Sequence, residues 1–181
     1  LTGAQVLEEF KEVAALRKTF LESAPENYFT AESNTPIGKA PMAVFMSIRA
    51  MDSWVHLQDI RRAIGKPGDQ DSLCAELSVD RLCRTLPMVV GKRAKSPEGS
   101  VSVVKITDPV KRELVIAVND GRAAFVDNGK VAPLVEIEMD SNTFVELATG
   151  RATGEALGKN LKIVGDVAQG KRVVDSLNMM I

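Results

Sequence analysis

Arg49-Ala-Met-Asp52-Ser-Trp54-Val-His56-Leu-Gln58-Asp59-Ile-Arg61-Arg62-Ala-Ile64-Gly65 places polar groups in the middle of a stretch with the apolar spacing of a helix. At about 100° per residue, Arg49, Asp52, His56 and Asp59 share an arc roughly 80° wide. Val44, Ile48, Met51 and Val55 border that arc on one side, and Leu57, Ile60 and Ile64 on the other. This pattern predicts a solvent face near Ser47, Gln58 and Arg61, with Trp54 on the outer arc against a neighbouring helix or domain. Charges inside a core-facing stripe are costly to desolvate unless they pair or hold a ligand.

The helix is bounded by Pro41, which suits a first turn, and by Gly65 with Pro67, which end it. Upstream, Thr2 and Gln5 form a capping box, and Val6, Phe10, Val13, Leu16 and Phe20 recur at helical spacing until Pro25. Residues 25–40, with Pro25, Asn34, Pro36 and Gly38, read as a loop. Downstream, Leu73, Leu77, Leu82, Leu86 and Val90 mark a further helical region, with breaks expected at Ser78 and Pro87. The small and charged run 91–100 predicts a domain boundary.

Beyond residue 100 the period becomes strand-like. Runs 101–107, 112–118 and 122–126 are β-rich, with turn signals at Asn119-Asp-Gly121 and Asp127-Asn-Gly129. Val135, Ile137 and Met139 alternate with Glu136 and Glu138, as in a sheet with one wet face. A helix capped by Asp140 or Ser141 runs to Gly150, a strand covers 161–165, and Asp166 caps a last helix carrying Val167, Val173, Val174 and Leu177. The expected class is α+β, with a helical-bundle portion at 1–95 followed by a small α+β domain at 96–181.

Composition narrows the function classes. The 181 residues are 45% hydrophobic and 26% charged with a net charge of −1, which argues for a globular protein and against a dedicated nucleic-acid or anionic-membrane binder. No apolar run is long enough for a membrane span and no signal-peptide pattern opens the chain. Cys74 and Cys83, outside any Cys-x-x-Cys pair, read as reduced core thiols, so a cytoplasmic protein is expected.

Helical i, i+4 spacing sets Asp52 and His56 close enough to share an ion, and equally close enough to pair with each other or with Arg49. Asp59 is placed to orient a ligand or to pair with Arg62 or Arg49, and Arg61 and Arg62 read as a solvated helix end. Arg151, just after Gly150, is placed to project toward the domain junction or to form a surface salt bridge with Glu146 or Glu155.

Three segments carry a family resemblance: Thr35-Pro-Ile-Gly38, Arg49-x-x-Asp52-x-x-x-His56-x-x-Asp59-Ile-Arg-Arg-Ala-x-Gly65, and Leu147-Ala-Thr-Gly-Arg151. They resemble the mycothiol-dependent maleylpyruvate isomerase family, within the DinB-like group of metal-binding four-helix bundles. The C-terminal portion, with its Gly165-Asp166 step into a closing helix, resembles the sterol-carrier-protein fold. The first resemblance implies a divalent metal, zinc foremost, held by a histidine from an early helix and by an acid and a histidine one turn apart. The matching positions are Asp52, where the family has glutamate, and His56. It also implies that Arg151 binds a substrate carboxylate and that mycothiol is the thiol cofactor.

His56 is the only histidine in the chain, which creates the expectation that a further helical segment precedes Leu1. The main functional expectation is a metal- and thiol-dependent transferase or isomerase acting on a small electrophile. The alternative is a non-catalytic small-molecule or lipid-binding protein with a degenerate bundle. A homodimer that completes the bundle in trans is expected as a partner arrangement.

Overall fold

The computed structural model describes residues 1–127 and 131–179. The chain divides into two compact units, Leu1–Met46 and Ser47–Ile181. The composition shift at 91–100 therefore lies within the second unit, because the helices before it share a core with the strands after it.

In the first unit, helix α1 (Gly3–Glu22) starts at Thr2, whose side chain accepts from the Gln5 amide while Gln5 reaches back to the Thr2 amide. Residues 25–40 are more ordered than their composition predicts. A single 3-10 turn (Glu26–Tyr28) precedes a hairpin of β1 (Glu32–Thr35) and β2 (Gly38–Pro41). Thr35 donates its hydroxyl to the Gly38 carbonyl across the turn, and Gly38 takes the positive φ of 97° that a tight turn needs. Pro41 ends β2, and α2 (Met42–Ala63) begins one residue later.

The face that α2 buries is rotated away from the polar arc: Met51 and Val55 from its expected apolar border are joined by Trp54 and by Gln58 from the expected solvent face. His56, Leu57, Ile60 and Ile64 are exposed. Hydrogen bonding accounts for the rotation. The chain after α2 turns back under the helix, so that Trp54 Nε1 donates to the Asp69 carbonyl at 2.8 Å. Gln58 Nε2 reaches the carbonyls of Gly68 and Asp69 at 3.2 and 3.3 Å. A buried amide and indole are thus paired, which removes the main cost of turning this side inward.

Helix α3 (Leu73–Cys83) is capped by Ser72 and is not broken at Ser78, whose hydroxyl donates to the Cys74 carbonyl one turn back. A helical turn α4 (Leu86–Met88), with Pro87 in its first turn, widens into a π turn at Val89–Arg93. Cys83 is buried as expected, and desolvation pushes its thiol up to about 12, whereas Cys74 is exposed.

The second unit contains a five-stranded sheet of order β5-β4-β3-β6-β7, formed by β3 (Val101–Thr107), β4 (Arg112–Asn119), β5 (Arg122–Phe125), β6 (Val135–Asp140) and β7 (Lys162–Gly165). The β3–β6 pair is parallel and the other pairs are antiparallel. Asp120 and Gly121, both at positive φ, make the two-residue β4–β5 turn that the sequence signals. The Asp127-Asn-Gly129 signal extends beyond the described residues.

One sheet face carries Val104, Ile106, Ile116, Val135, Ile137 and Met139 into a single core with α3, α5 (Ser141–Ala148) and α6 (Val167–Asp175). Asp140 and Asp166 cap these last two helices through the amides of Thr143 and Gln169. The other face keeps a small apolar cluster of Val101, Val103, Val115 and Ala117 at one end. At the other end it carries charges, including the Lys105–Glu136 ion pair. This mixed α+β unit is the scaffold for both sites described next.

Candidate functional site

The polar arc of α2 meets the turn after α5. Asp59 is its centre. Arg151 grips that carboxylate with two bonds, Nη2 to Oδ2 at 2.8 Å and Nε to Oδ1 at 3.2 Å, while its Nη1 donates to the Thr149 carbonyl at 2.7 Å. Arg62 adds a bond to Asp59 Oδ1 at 2.6 Å and lies 3.4 Å from Glu146 Oε1. Two helical turns before Asp59, Asp52 accepts at Oδ2 from Arg49 at 2.8 Å. His56 stands between the acids, with Nδ1 3.3 Å from Asp59 Oδ2 and Nε2 3.6 Å from Asp52 Oδ1.

The helix period brings Asp52, His56 and Asp59 together, and the positive φ of Gly150, at 69°, turns the chain so that Arg151 can reach them. Arg151 thus pairs with Asp59 rather than with Glu146 or Glu155, and Glu146 takes Arg62 instead. Arg62 is a working member of the cluster, and Arg61 is half-buried and donates to the Lys66 carbonyl.

The arginine bonds, that of Arg151 first, hold the Asp59 carboxyl down to about 2 from its ordinary 3.8. Asp59 is therefore ionised throughout the neutral range and cannot serve there as a proton donor. A depressed folded pKa contributes stability that is complete above the unfolded value and is lost as pH falls through the folded one. We expect the Asp59 contribution to vanish between pH 3.8 and about 2. Acid titration of Asp59→Asn, followed by circular dichroism, should show a shallower loss of stability over that window; an unchanged slope would contradict the pairing.

Asp52 and His56 offer two donors to a metal ion, and Asp52 already receives Arg49. Among the described residues, no group of three His, Cys, Asp or Glu side chains is placed to hold an ion. Arg151 meets the geometry for a substrate carboxylate only if it releases Asp59, since all three of its bonded nitrogens are in use.

A second candidate site begins at Gly154, three residues after Arg151. A cleft of about 440 Å³ opens between β7, α6 and the segment that precedes them. Leu161 and Ile163 contribute at strand spacing, and Val167, Lys171 and Val174 at helical i, i+4, i+7 spacing. Gly154 lets the preceding segment lie directly on α6, for a Cβ there would meet Val174 Cγ1 at 2.7 Å. Glu155 and Asp175 complete the polar rim with Lys171. Val167 and Val174 stand out in the sequence as apolar positions of the last helix, whereas Lys171 and the 154–161 segment carry no local signal of the cleft.

The sequence model of the SCP-2 sterol transfer family matches residues 79–178, from inside α3 to beyond the end of α6. The chain belongs to that family. The SCP-2 match takes in the whole sheet and the cleft, and it includes Arg151 but not Asp52, His56 or Asp59.

Solved structures of SCP-2 proteins are similar at low identity. The sterol carrier protein domain 2 of Helicoverpa armigera is 14% identical, with a TM-score of 0.42 over 64% of this chain and 96% of that one. Sterol carrier protein 2 from Yarrowia lipolytica, in its apo form, is 12% identical, with a TM-score of 0.41 over 62% and 97%. Sterol carrier protein 2 from Aedes aegypti, solved with the C16 fatty acid palmitate, is 16% identical, with a TM-score of 0.39 over 55% and 96%. No curated protein matches the chain.

Proposed function

We propose that the chain binds a small, predominantly apolar molecule in the cleft between β7 and α6. The observation that carries this reading is the cleft's lining within the SCP-2 region: Leu161, Ile163, Val167 and Val174 form the apolar wall. Its volume falls in the range of small-molecule sites, about 300–1,000 Å³. Lys171 stands against both Glu155 and Asp175, so the rim carries a formal charge of −1 at neutral pH. A neutral head group is therefore favoured over a bare carboxylate, which would be desolvated beside two acids.

Titration with Nile red, followed by displacement with hexadecanol or palmitate, tests the reading. Saturable binding with hexadecanol displacing more effectively than palmitate is the expected result. Val167 lines the cleft and is partly exposed, so Val167→Trp should fill the space without opening the core. Excluding two or three methylenes, each worth about 0.8 kcal/mol, should weaken binding about tenfold or more. Binding that is not saturable, or is indifferent to Val167→Trp, would remove the proposal's basis.

The metal- and mycothiol-dependent transferase or isomerase is a second reading, supported by the convergence of Asp52, His56 and Arg151 at one place. A bound divalent metal would supply Lewis acidity toward a thiol. The two donors observed do not complete a site, so this reading requires a further ligand from outside the described residues or from another chain. Calorimetric titration with zinc decides it: stoichiometric uptake lost in His56→Ala supports the reading, and no uptake sinks it.

A further inference from the structure

Helix α1 buries none of its residues, although Val6, Phe10, Val13, Leu16 and Phe20 lie within one arc. These five side chains are 51–71% exposed. Phe20 meets the Tyr28 ring edge-on with centroids 5.5 Å apart, but a 20-residue helix that buries none of its residues gains little from burial, and propensity alone makes such a helix marginal.

Two charged residues, Glu9 and Arg17, fall inside this apolar arc. On the opposite side the charges are matched within the helix, as in the Glu8–Lys11 and Lys18–Glu22 pairs. Glu9 has no ion pair among the described residues, and Arg17 Nη2 makes only a 3.7 Å contact to Met46 Sδ.

Glu9 and Arg17 are equidistant from Val13, as are Val6 and Phe20, and Phe10 and Leu16. We propose that α1 pairs antiparallel with α1 of a second copy of this chain, about a two-fold axis at Val13. That symmetry brings Glu9 of each copy to the level of Arg17 of the other, about 6 Å along the helix from the axis at 1.5 Å per residue. Val6 then comes to the level of Phe20, and Phe10 to that of Leu16, so the apolar residues of the two copies line one seam.

A parallel pair in register would stack Glu9 on Glu9 and Arg17 on Arg17. Like charges facing each other in an apolar seam disfavour that arrangement. The same two residues thus supply attraction in one orientation and repulsion in the other.

Sedimentation velocity on the full chain tests the pairing. The expected result is a reversible dimer whose dissociation constant rises about tenfold in either Glu9→Arg or Arg17→Glu, because each reversal makes both symmetry-related pairs repulsive. The double variant should restore dimerisation to near the original level, since it exchanges the charges while keeping their complementarity.

In a Cys74→Ser background, Val13→Cys should give an oxidised, covalent dimer, and Thr19→Cys, on the opposite face, should not. A chain that stays monomeric through the micromolar range would overturn the proposal. So would a dimer in which the double charge exchange fares no better than the single reversals.

Discussion

Phe144→Ala is expected to destabilise the second unit by about 3–5 kcal/mol, the range for removing a fully buried aromatic side chain. Phe144 is 0% exposed, on the face of α5 that enters the core shared by the sheet, α3 and α6. Removing its ring takes away apolar burial and leaves a cavity that strands on one side and helices on the other cannot readily close. Urea unfolding should show a lower midpoint with an unchanged slope, since the surface exposed on unfolding hardly alters. Phe125, near the sheet edge and 44% exposed, provides the comparison: Phe125→Ala should cost about 1 kcal/mol or less. Comparable losses in the two variants would place the core elsewhere.

The helices and strands of this core were legible because local chemistry and tertiary demand agree. Val135, Ile137 and Met139 are buried and alternate with half-buried Glu136 and Glu138, as their spacing in sequence requires. Asp140 and Asp166 bond the amides expected of helix caps. The Asp120-Gly121 turn adopts the positive φ values that its residues tolerate.

The hairpin of β1 and β2 was not legible. Glu32–Thr35 shows no apolar alternation, and its order comes from pairing across a turn rather than from a buried face. The orientation of α2 also escaped the sequence for a definable reason. Apolar residues flank the polar arc on both sides, so periodicity leaves two ways of burying the helix. The bonds from Trp54 and Gln58 to carbonyls at 68–69 break that tie.

The candidate sites divide in the same way. Helical spacing put Asp52, His56 and Asp59 together, and Arg151 was singled out, but nothing local indicates that Arg151 meets Asp59 across 92 residues of chain. That pairing changes the chemistry of the cluster. An arginine committed to Asp59 is less available to a substrate, and a carboxylate held this acidic is less available as a base.

Gly165→Ala should destabilise the same unit by about 2–4 kcal/mol and weaken ligand binding with it, because one methyl group strikes the junction of β6, β7 and α6. Gly165 has φ 89°, and an added Cβ would stand 2.4 Å from the Leu134 carbonyl oxygen and 3.3 Å from Val135 Cα. Both neighbours are backbone, so relief requires β7 to move away from β6, where Gly165 pairs with Val135. The same Leu134 oxygen accepts the Asp166 amide at 2.9 Å, and Asp166 caps α6. Displacing it loosens the start of the helix that carries Val167, Lys171 and Val174 into the cleft. Gly121→Ala isolates the conformational part of this effect: its φ is 71°, and no atom lies within 4 Å of the added methyl. That variant should lose only about 1 kcal/mol, the cost of left-handed backbone for a residue with a Cβ. Equal losses at 165 and 121 would show that backbone conformation, rather than the close approach of two strands, governs this corner. A Gly165→Ala protein that unfolds earlier yet binds Nile red normally below its transition would separate the corner from the cleft.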